Sequence, residues 1–156
     1  MKTLTAYFSA SGYTASLAKR VAQAAEGDLF EIRPVQPYTD ADLKWTNPLA
    51  RCNKEKLGKK DVPVAEKVAD FGAYDMILIG FPIWYYNAPM IIKTFVQQYD
   101  LAGKKIGLFA TSGGSDIGKT AEKLMPYLKN GATVSGAQVF ARSASEEVLK
   151  AWVDTL

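Results

Sequence analysis

A turn rich in hydroxyl groups lies near the amino end of the chain. Residues 9–14 read Ser-Ala-Ser-Gly-Tyr-Thr and stand between a short apolar run and a segment with apolar residues at helical spacing. Backbone N–H groups at a helix start, together with the hydroxyls of Ser9, Ser11 and Thr14, can hold an anion. Gly12 lets the backbone approach that anion closely. The turn contains no Lys or Arg, so a phosphate held here would be bound by neutral groups.

The alternative for residues 9–14 is an ordinary helix start, since Ser and Thr are favoured helix caps. The turn lacks the spaced glycines and the Gly-Lys-Ser/Thr ending of a Walker loop. It also lacks the G-x-G-x-x-G pattern of dinucleotide-binding folds. A phosphate site of another kind and a plain capped helix therefore both stay open at this point.

Three adjacent aromatic residues mark a second loop, residues 80–89, which read Gly-Phe-Pro-Ile-Trp-Tyr-Tyr-Asn-Ala-Pro. Aromatic rings such as those of Trp84, Tyr85 and Tyr86 stack on flat conjugated ligands and shield them from water. The other interpretation is that they close the upper end of the core. Asn87 has two interpretations as well, a hydrogen bond to the edge of a ligand ring or a cap for a helix that begins at Pro89.

A third loop consists of small residues and reads Thr-Ser-Gly-Gly-Ser-Asp over residues 111–116. Small side chains let a flat ring lie against the backbone, where exposed N–H groups can meet its polar edge. A flexible turn would have the same composition. The position of the loop, directly after a predicted strand, is what favours a binding role.

Composition limits the chemistry that side chains could perform. The 156 residues contain no His and only one Cys, Cys52. Ser-His-Asp and Cys-His catalysis, His metal ligands and an internal disulfide are therefore excluded. We expect no catalytic side chain and no metal ligands, and we expect any reaction to belong to a bound cofactor.

Size and hydropathy predict a single domain spanning residues 1–156, since 48% of the residues are hydrophobic. No apolar run approaches the ~20 residues that a membrane span requires, and the first residues are too polar for a secretory signal. A cytoplasmic location is the expectation. The net charge of +3 is too small to indicate nucleic-acid binding.

Apolar runs and helical stripes alternate along the chain and position the three loops. The predicted strands are residues 3–8, 28–33, 75–81, 105–111 and 133–140. Predicted helices carry apolar stripes at Leu17, Ala18, Val21 and Ala22; at Val64, Val68 and Phe71 within residues 61–71; at Ile91, Ile92, Phe95, Val96 and Tyr99; at Ile117, Ala121, Leu124, Met125 and Leu128; and at Val148, Leu149, Trp152, Val153 and Leu156. Residues 34–60 show no periodicity and are predicted to be either a lid or a surface excursion.

Strict alternation of strands and helices implies right-handed crossovers and a parallel sheet with helices on both faces. In such sheets ligands bind beyond the carboxyl ends of the strands. The loops after Phe8, Phe81 and Thr111 are all expected at that edge.

The pattern Ser-x-Ser-Gly-x-Thr after the first strand resembles the FMN-phosphate loop of the flavodoxin family. The segment Gly-Phe-Pro-Ile-Trp, followed by Asn-Ala-Pro, resembles the branch of short flavodoxin-like proteins with a Pro-x-Trp loop. The resemblance covers essentially the whole chain. It implies a flavodoxin-like three-layer α/β sandwich, with a five-stranded parallel sheet of order 2-1-3-4-5, and one noncovalently bound FMN.

The resemblance also implies cofactor-binding residues. Phosphate would be held by Ser9, Ser11, Gly12, Tyr13 and Thr14. One side of the isoalloxazine would be lined by Pro82, Ile83, Trp84, Tyr85, Tyr86 and Asn87. The other side would be lined by Thr111, Ser112, Gly113, Gly114 and Ser115.

Three functions remain open. The first is electron transfer through FMN to a redox partner protein, and the second is NAD(P)H-dependent reduction of quinone-type small molecules. The third, of a different class, is a flavin-free module that binds phosphate or regulates another protein. The weakly basic charge departs from the acidic surface of electron-carrier flavodoxins, which steers them to basic partners.

Overall fold

The computed structural model describes most of the chain and all five expected strands. Described residues are 2–9, 12–36, 39, 43, 51, 62–83, 88–111, 117, 120–128, 132, 134–141 and 143–156. The strands are β1 Thr3–Tyr7, β2 Asp28–Glu31, β3 Met76–Pro82, β4 Lys105–Thr111 and β5 Val134–Val139. They form one sheet of order β2-β1-β3-β4-β5 in which every neighbouring pair is parallel. The predicted fold class and strand order are confirmed.

Helices cover both faces of the sheet. The α-helices among the described residues are α1 Tyr13–Ala24, α2 Met90–Gln97, α3 Thr120–Leu124 and α4 Glu146–Asp154. One core cluster joins α1 and α4 to one face of the sheet through Leu17, Val21, Phe109 and Trp152. The other cluster packs α2 against the opposite face. No helix in the described part of the chain has both the length and the apolar composition needed to cross a bilayer.

The central strands are buried along almost their whole length. All residues of β3 except Pro82 are buried, and β4 is buried from Ile106 to Ala110. Burial on both faces requires the continuous apolar runs that predicted these strands. Their carboxyl ends, at Pro82 and Thr111, are the first residues to become partly accessible, so the sheet opens towards solvent where the loops begin.

The helix predicted over residues 61–71 is wrong. Val64 instead forms an antiparallel bridge with Pro34, and its neighbours extend the pairing through Val35 N to Pro63 O at 3.0 Å and Ala65 N to Arg33 O at 2.7 Å. We call these paired residues, 33–35 and 63–65, the clasp. Pro63 has no N–H to donate to a helix, and β-branched residues around it favour extended backbone.

Beyond the clasp, the chain contacts Tyr99, which lies just after the end of α2. The Tyr99 hydroxyl accepts a hydrogen bond from Val68 N at 3.0 Å, and the rings of Phe71 and Tyr99 stack with centroids 4.1 Å apart. Val68 and Phe71 thus contact the core as expected, although not from a helix. Residues 71–73 form only a short 3₁₀ turn.

Two further helix boundaries differ from expectation. Pro89 is the N-cap of α2 rather than its first residue. The fourth predicted helix is short, because α3 ends at Leu124 and a 3₁₀ turn, Met125–Tyr127, follows around Pro126. Met125 is exposed there instead of lying in the core, as is Val148 on α4.

Gly136 marks an irregularity in β5. The register between β4 and β5 shifts beside Ile106 and Gly107, so Val134 and Gly136 pair with successive residues of β4. The side chain of Leu156 fills the space over both glycines, since an added Cβ would meet it at 2.7 Å from Gly107 and 2.6 Å from Gly136. Close packing of this side chain accounts for glycine at both positions.

Tyr74 lies just before β3, at the end of the sheet where the strands begin, and its hydroxyl is hydrogen-bonded. The hydroxyl of Tyr74 donates to Asp28 Oδ2 at 2.7 Å, and Lys2 Nζ lies 4.7 Å from the centre of its ring. The hydrogen bond to Asp28, then burial, then the charges of Asp28 and Asp70 raise the pKa of Tyr74 to about 12 from 10.0. Lys104 Nζ also reaches this residue, by donating to its carbonyl oxygen.

We expect Tyr74 to make the fold sensitive to alkaline pH. The unfolded chain loses the tyrosine proton near pH 10, whereas the folded chain keeps it to about pH 12. Its contribution is fully present below pH 10 and is lost as pH rises towards 12, a change of up to about 2 kcal/mol. Urea unfolding between pH 8 and pH 12 measures it.

Tyr74→Phe is the matched control for this titration. The variant should lose about 1 kcal/mol at pH 8, where the hydrogen bond is intact, and should lose less stability than the parent between pH 10 and pH 12. Parallel pH profiles of the two proteins would contradict the assignment. Tyr7 and Tyr99, whose pKa values are also raised, are common to both proteins and cancel in the comparison.

Candidate functional site

The hydroxyl-rich turn joins the carboxyl end of β1 to the start of α1. Phe8 N donates to Gly80 O at 2.9 Å and continues the pairing of β1 with β3 beyond the last residue of the strand. Ser9 follows, and its Oγ accepts a hydrogen bond from Gly12 N at 3.0 Å. That bond keeps the start of α1 close in space to the residues that follow β1.

Gly12 takes a backbone conformation that explains why glycine stands there. Its φ of 92° lies in the left-handed region, which residues with a Cβ rarely adopt. Apart from Gly12 and its chain neighbours, no heavy atom of the described residues lies within 4 Å of the position that a Cβ would occupy. The requirement for glycine is therefore conformational and does not come from crowding.

The first turn of α1 has the features of an anion site. Its intrahelical ladder begins with Ser16 N bonded to Gly12 O at 3.1 Å, and N–H groups ahead of that bond have no acceptor within a helix. No acidic residue lies in the first turn, so no carboxylate of the helix's own competes for its positive end. Tyr13 is about half exposed, whereas Thr14 is only 2% exposed.

Thr14 connects this turn to the third loop. Its Oγ1 lies 2.7 Å from Oγ1 of Thr111, the last residue of β4. The two residues are 97 positions apart in sequence. Because the loops follow strands of one parallel sheet, the sequence predicted that they share an edge. No feature of the sequence predicted this direct bond between a residue of the first loop and a residue of the third.

The second loop reaches the same place through the backbone. Ile83 N donates to Thr111 O at 2.9 Å, one residue beyond the last pair of the β3–β4 ladder. Pro82 and Ile83 are both partly buried. Seven predicted binding residues are thus at one edge of the sheet: Ser9, Gly12, Tyr13, Thr14, Pro82, Ile83 and Thr111.

The other nine predicted binding residues lie outside the described residues. They are Ser11, Trp84, Tyr85, Tyr86, Asn87, Ser112, Gly113, Gly114 and Ser115. Their expected contacts remain predictions from the sequence.

The hydroxyl of Tyr7, just ahead of the turn, stays neutral at physiological pH. Burial raises its pKa above the ordinary value, the charge of Glu31 raises it further, and Arg33 lowers it. Arg33 in turn pairs with Glu66, the residue that follows the second strand of the clasp. The described residues of the turn carry hydroxyls and backbone N–H groups and no charged side chain; that they bind an anion stays a prediction.

A doubly wound parallel sheet, with a helix start and neutral donors at its carboxyl edge, defines the class of mononucleotide-binding α/β proteins. The sequence comparison narrows the class. A family model described as Flavodoxin matches residues 2–156, and the chain belongs to the flavodoxin family. The predicted family is confirmed. No curated protein matches the chain.

Solved structures with this fold include flavoproteins of bacteria. A candidate flavoprotein from Bacteroides eggerthii DSM 20697 is 40% identical, with a TM-score of 0.92 over 98% of this chain and 96% of that chain. One from Bacteroides uniformis ATCC 8492 is 41% identical, with a TM-score of 0.91 over 98% and 97%. A flavoprotein from Lactobacillus acidophilus NCFM, crystallised in complex with FMN, is 28% identical, with a TM-score of 0.73 over 88% and 92%.

Proposed function

We propose that this protein binds one FMN noncovalently and transfers electrons through it. Membership of the flavodoxin family gives FMN as the cofactor, and the FMN complex of the Lactobacillus acidophilus relative supports the same assignment. Bound FMN supplies redox chemistry by accepting and donating electrons, and the protein contributes binding, orientation and electrostatics.

The start of α1 is the observation that carries this proposal. A phosphate needs several donors that converge without a competing carboxylate, and the turn provides Gly12 with a φ of 92°, a first turn with no acidic residue and the buried hydroxyl of Thr14. The residues present therefore fit the phosphate of FMN. In this assignment, the phosphate lies at residues 9–14, and the ring lies towards residues 82–87 and 111–115.

The flavin that the protein carries tests the proposal. Protein reconstituted with a mixture of FMN and FAD should release FMN on heating, because the proposed site binds a terminal phosphate, and in FAD that phosphate carries an adenylate. Chromatography of the released flavin identifies it. Recovery of FAD in comparable amount, or of no flavin at all, would show that the phosphate site is wrongly assigned or that the chain is a flavin-free module.

The charge of the chain favours a second candidate, an FMN-dependent reductase that takes electrons from NAD(P)H. Carriers of this family are typically acidic and dock on basic partners, whereas this chain has a net charge of +3. A steady-state assay with NADH or NADPH and a quinone separates the two. Turnover with a small quinone supports the reductase, and reduction only through a partner protein supports the carrier.

A further inference from the structure

The hydrogen bond between the hydroxyls of Thr14 and Thr111 can form with either residue as the donor. Each hydroxyl has one proton, so a single contact of 2.7 Å uses one proton and leaves the other available. Neither hydroxyl has a second hydrogen-bond partner in the structure's described part, so no described group fixes the direction of the bond.

An anion at the start of α1 would fix that direction. Thr14 lies in the first turn of the helix and is buried, whereas Thr111 lies at the end of β4. A phosphate there would attract the proton of Thr14, whose oxygen would then accept the proton of Thr111. Hydrogen bonds in such a chain polarise and strengthen one another. The two hydroxyls therefore act as a relay of donors that ends at the anion.

We propose that Thr111 is a positioning residue for phosphate binding, and that its hydroxyl orients the proton of Thr14 towards the phosphate. This proposal deepens the proposed function and rests on it. It also changes the role expected of Thr111, which the resemblance had placed against the isoalloxazine ring. The hydroxyl contact with Thr14 connects it instead to the phosphate end of the site.

Riboflavin distinguishes the two roles because it has the same ring system as FMN and no phosphate. A residue that acts on the phosphate changes the affinity for FMN alone, whereas a residue that supports the ring or the fold changes both affinities. Protein stripped of flavin, and shown to recover on adding FMN, can be titrated with each ligand by the quenching of flavin fluorescence. The buffer must be free of phosphate, which would compete for the same donors.

Thr111→Val removes the hydroxyl but keeps the shape of the side chain. We expect it to raise the Kd for FMN about fivefold, the loss of one ordinary hydrogen bond, and to leave the Kd for riboflavin unchanged. Thr111→Ser restores the hydroxyl and should restore the FMN affinity. Thr111→Ala removes the same hydroxyl and replaces Thr111→Val in the comparison if the latter does not fold.

A double-mutant cycle tests whether Thr111 acts through Thr14. In a Thr14→Val background, Thr111→Val should add almost nothing to the loss of FMN affinity, since the relay is already broken. Independent, additive losses would overturn the proposal, as would equal losses for FMN and riboflavin or an unchanged FMN affinity. Failure of the parent protein to bind FMN at all would instead overturn the proposed function.

Discussion

Gly80→Ala should lower the free energy of unfolding by about 2–3 kcal/mol, the upper part of the range for overpacking a core. A Cβ at Gly80 would lie 2.3 Å from two carbon atoms of the Phe109 ring. Phe109 is fully buried and packs edge-on against Trp152, with ring centroids 6.3 Å apart, so the ring has little room to move aside. Urea unfolding of the apoprotein measures the change.

Two variants make the Gly80 prediction specific. Gly72→Ala adds the same methyl group at an exposed glycine with no heavy atom within 4 Å and should leave the stability nearly unchanged. Phe109→Leu in the Gly80→Ala background should recover part of the loss, because the smaller side chain makes room for the new Cβ. Unchanged stability of Gly80→Ala, or a double variant in which the two losses add, would contradict the packing that the structure describes.

The strands and the edge of the sheet that carries the site could be predicted from the sequence, because buried parallel strands require continuous apolar runs. The predicted bounds of 105–111 match β4, and those of β3 differ by one residue at each end. Alternation of strands and helices then placed all three loops at one edge. The strand order itself came from the family resemblance, since apolar runs carry no information on which strands are neighbours.

The segment before β3 shows where local pattern fails. Val64, Val68 and Phe71 recur at helical spacing, yet their partners are Pro34 on the other strand of the clasp and Tyr99 beyond α2. Contacts this distant in sequence decide the conformation, and no window of neighbouring residues contains them. Tertiary pairing here overrides the periodicity of the segment.

The candidate site depends on both kinds of information, local residue types and contacts distant in sequence. The residue types in 9–14 predict neutral anion donors, and the structure adds that Gly12 is left-handed; anion binding itself stays a prediction. The contact between Thr14 and Thr111 depends on the order of β1, β3 and β4 and on where α1 lies above them. The role that we propose for Thr111 therefore rests on a contact that the sequence could not predict.

Thr14→Val is expected to raise the Kd for FMN about ten- to a hundredfold, because a hydrogen bond to a charged phosphate contributes about 1.5–3 kcal/mol. Valine keeps the shape of this buried side chain, so the fold should persist. Thr5→Val is the matched control, since Thr5 is fully buried in β1 and its hydroxyl has no hydrogen-bond partner among the described residues. Its removal should leave FMN affinity unchanged, and stability equal or higher. Fluorescence titration with FMN compares the two variants. Equal affinities in the two proteins would mean that Thr14 does not hold the phosphate, and that the start of α1 is only a helix cap.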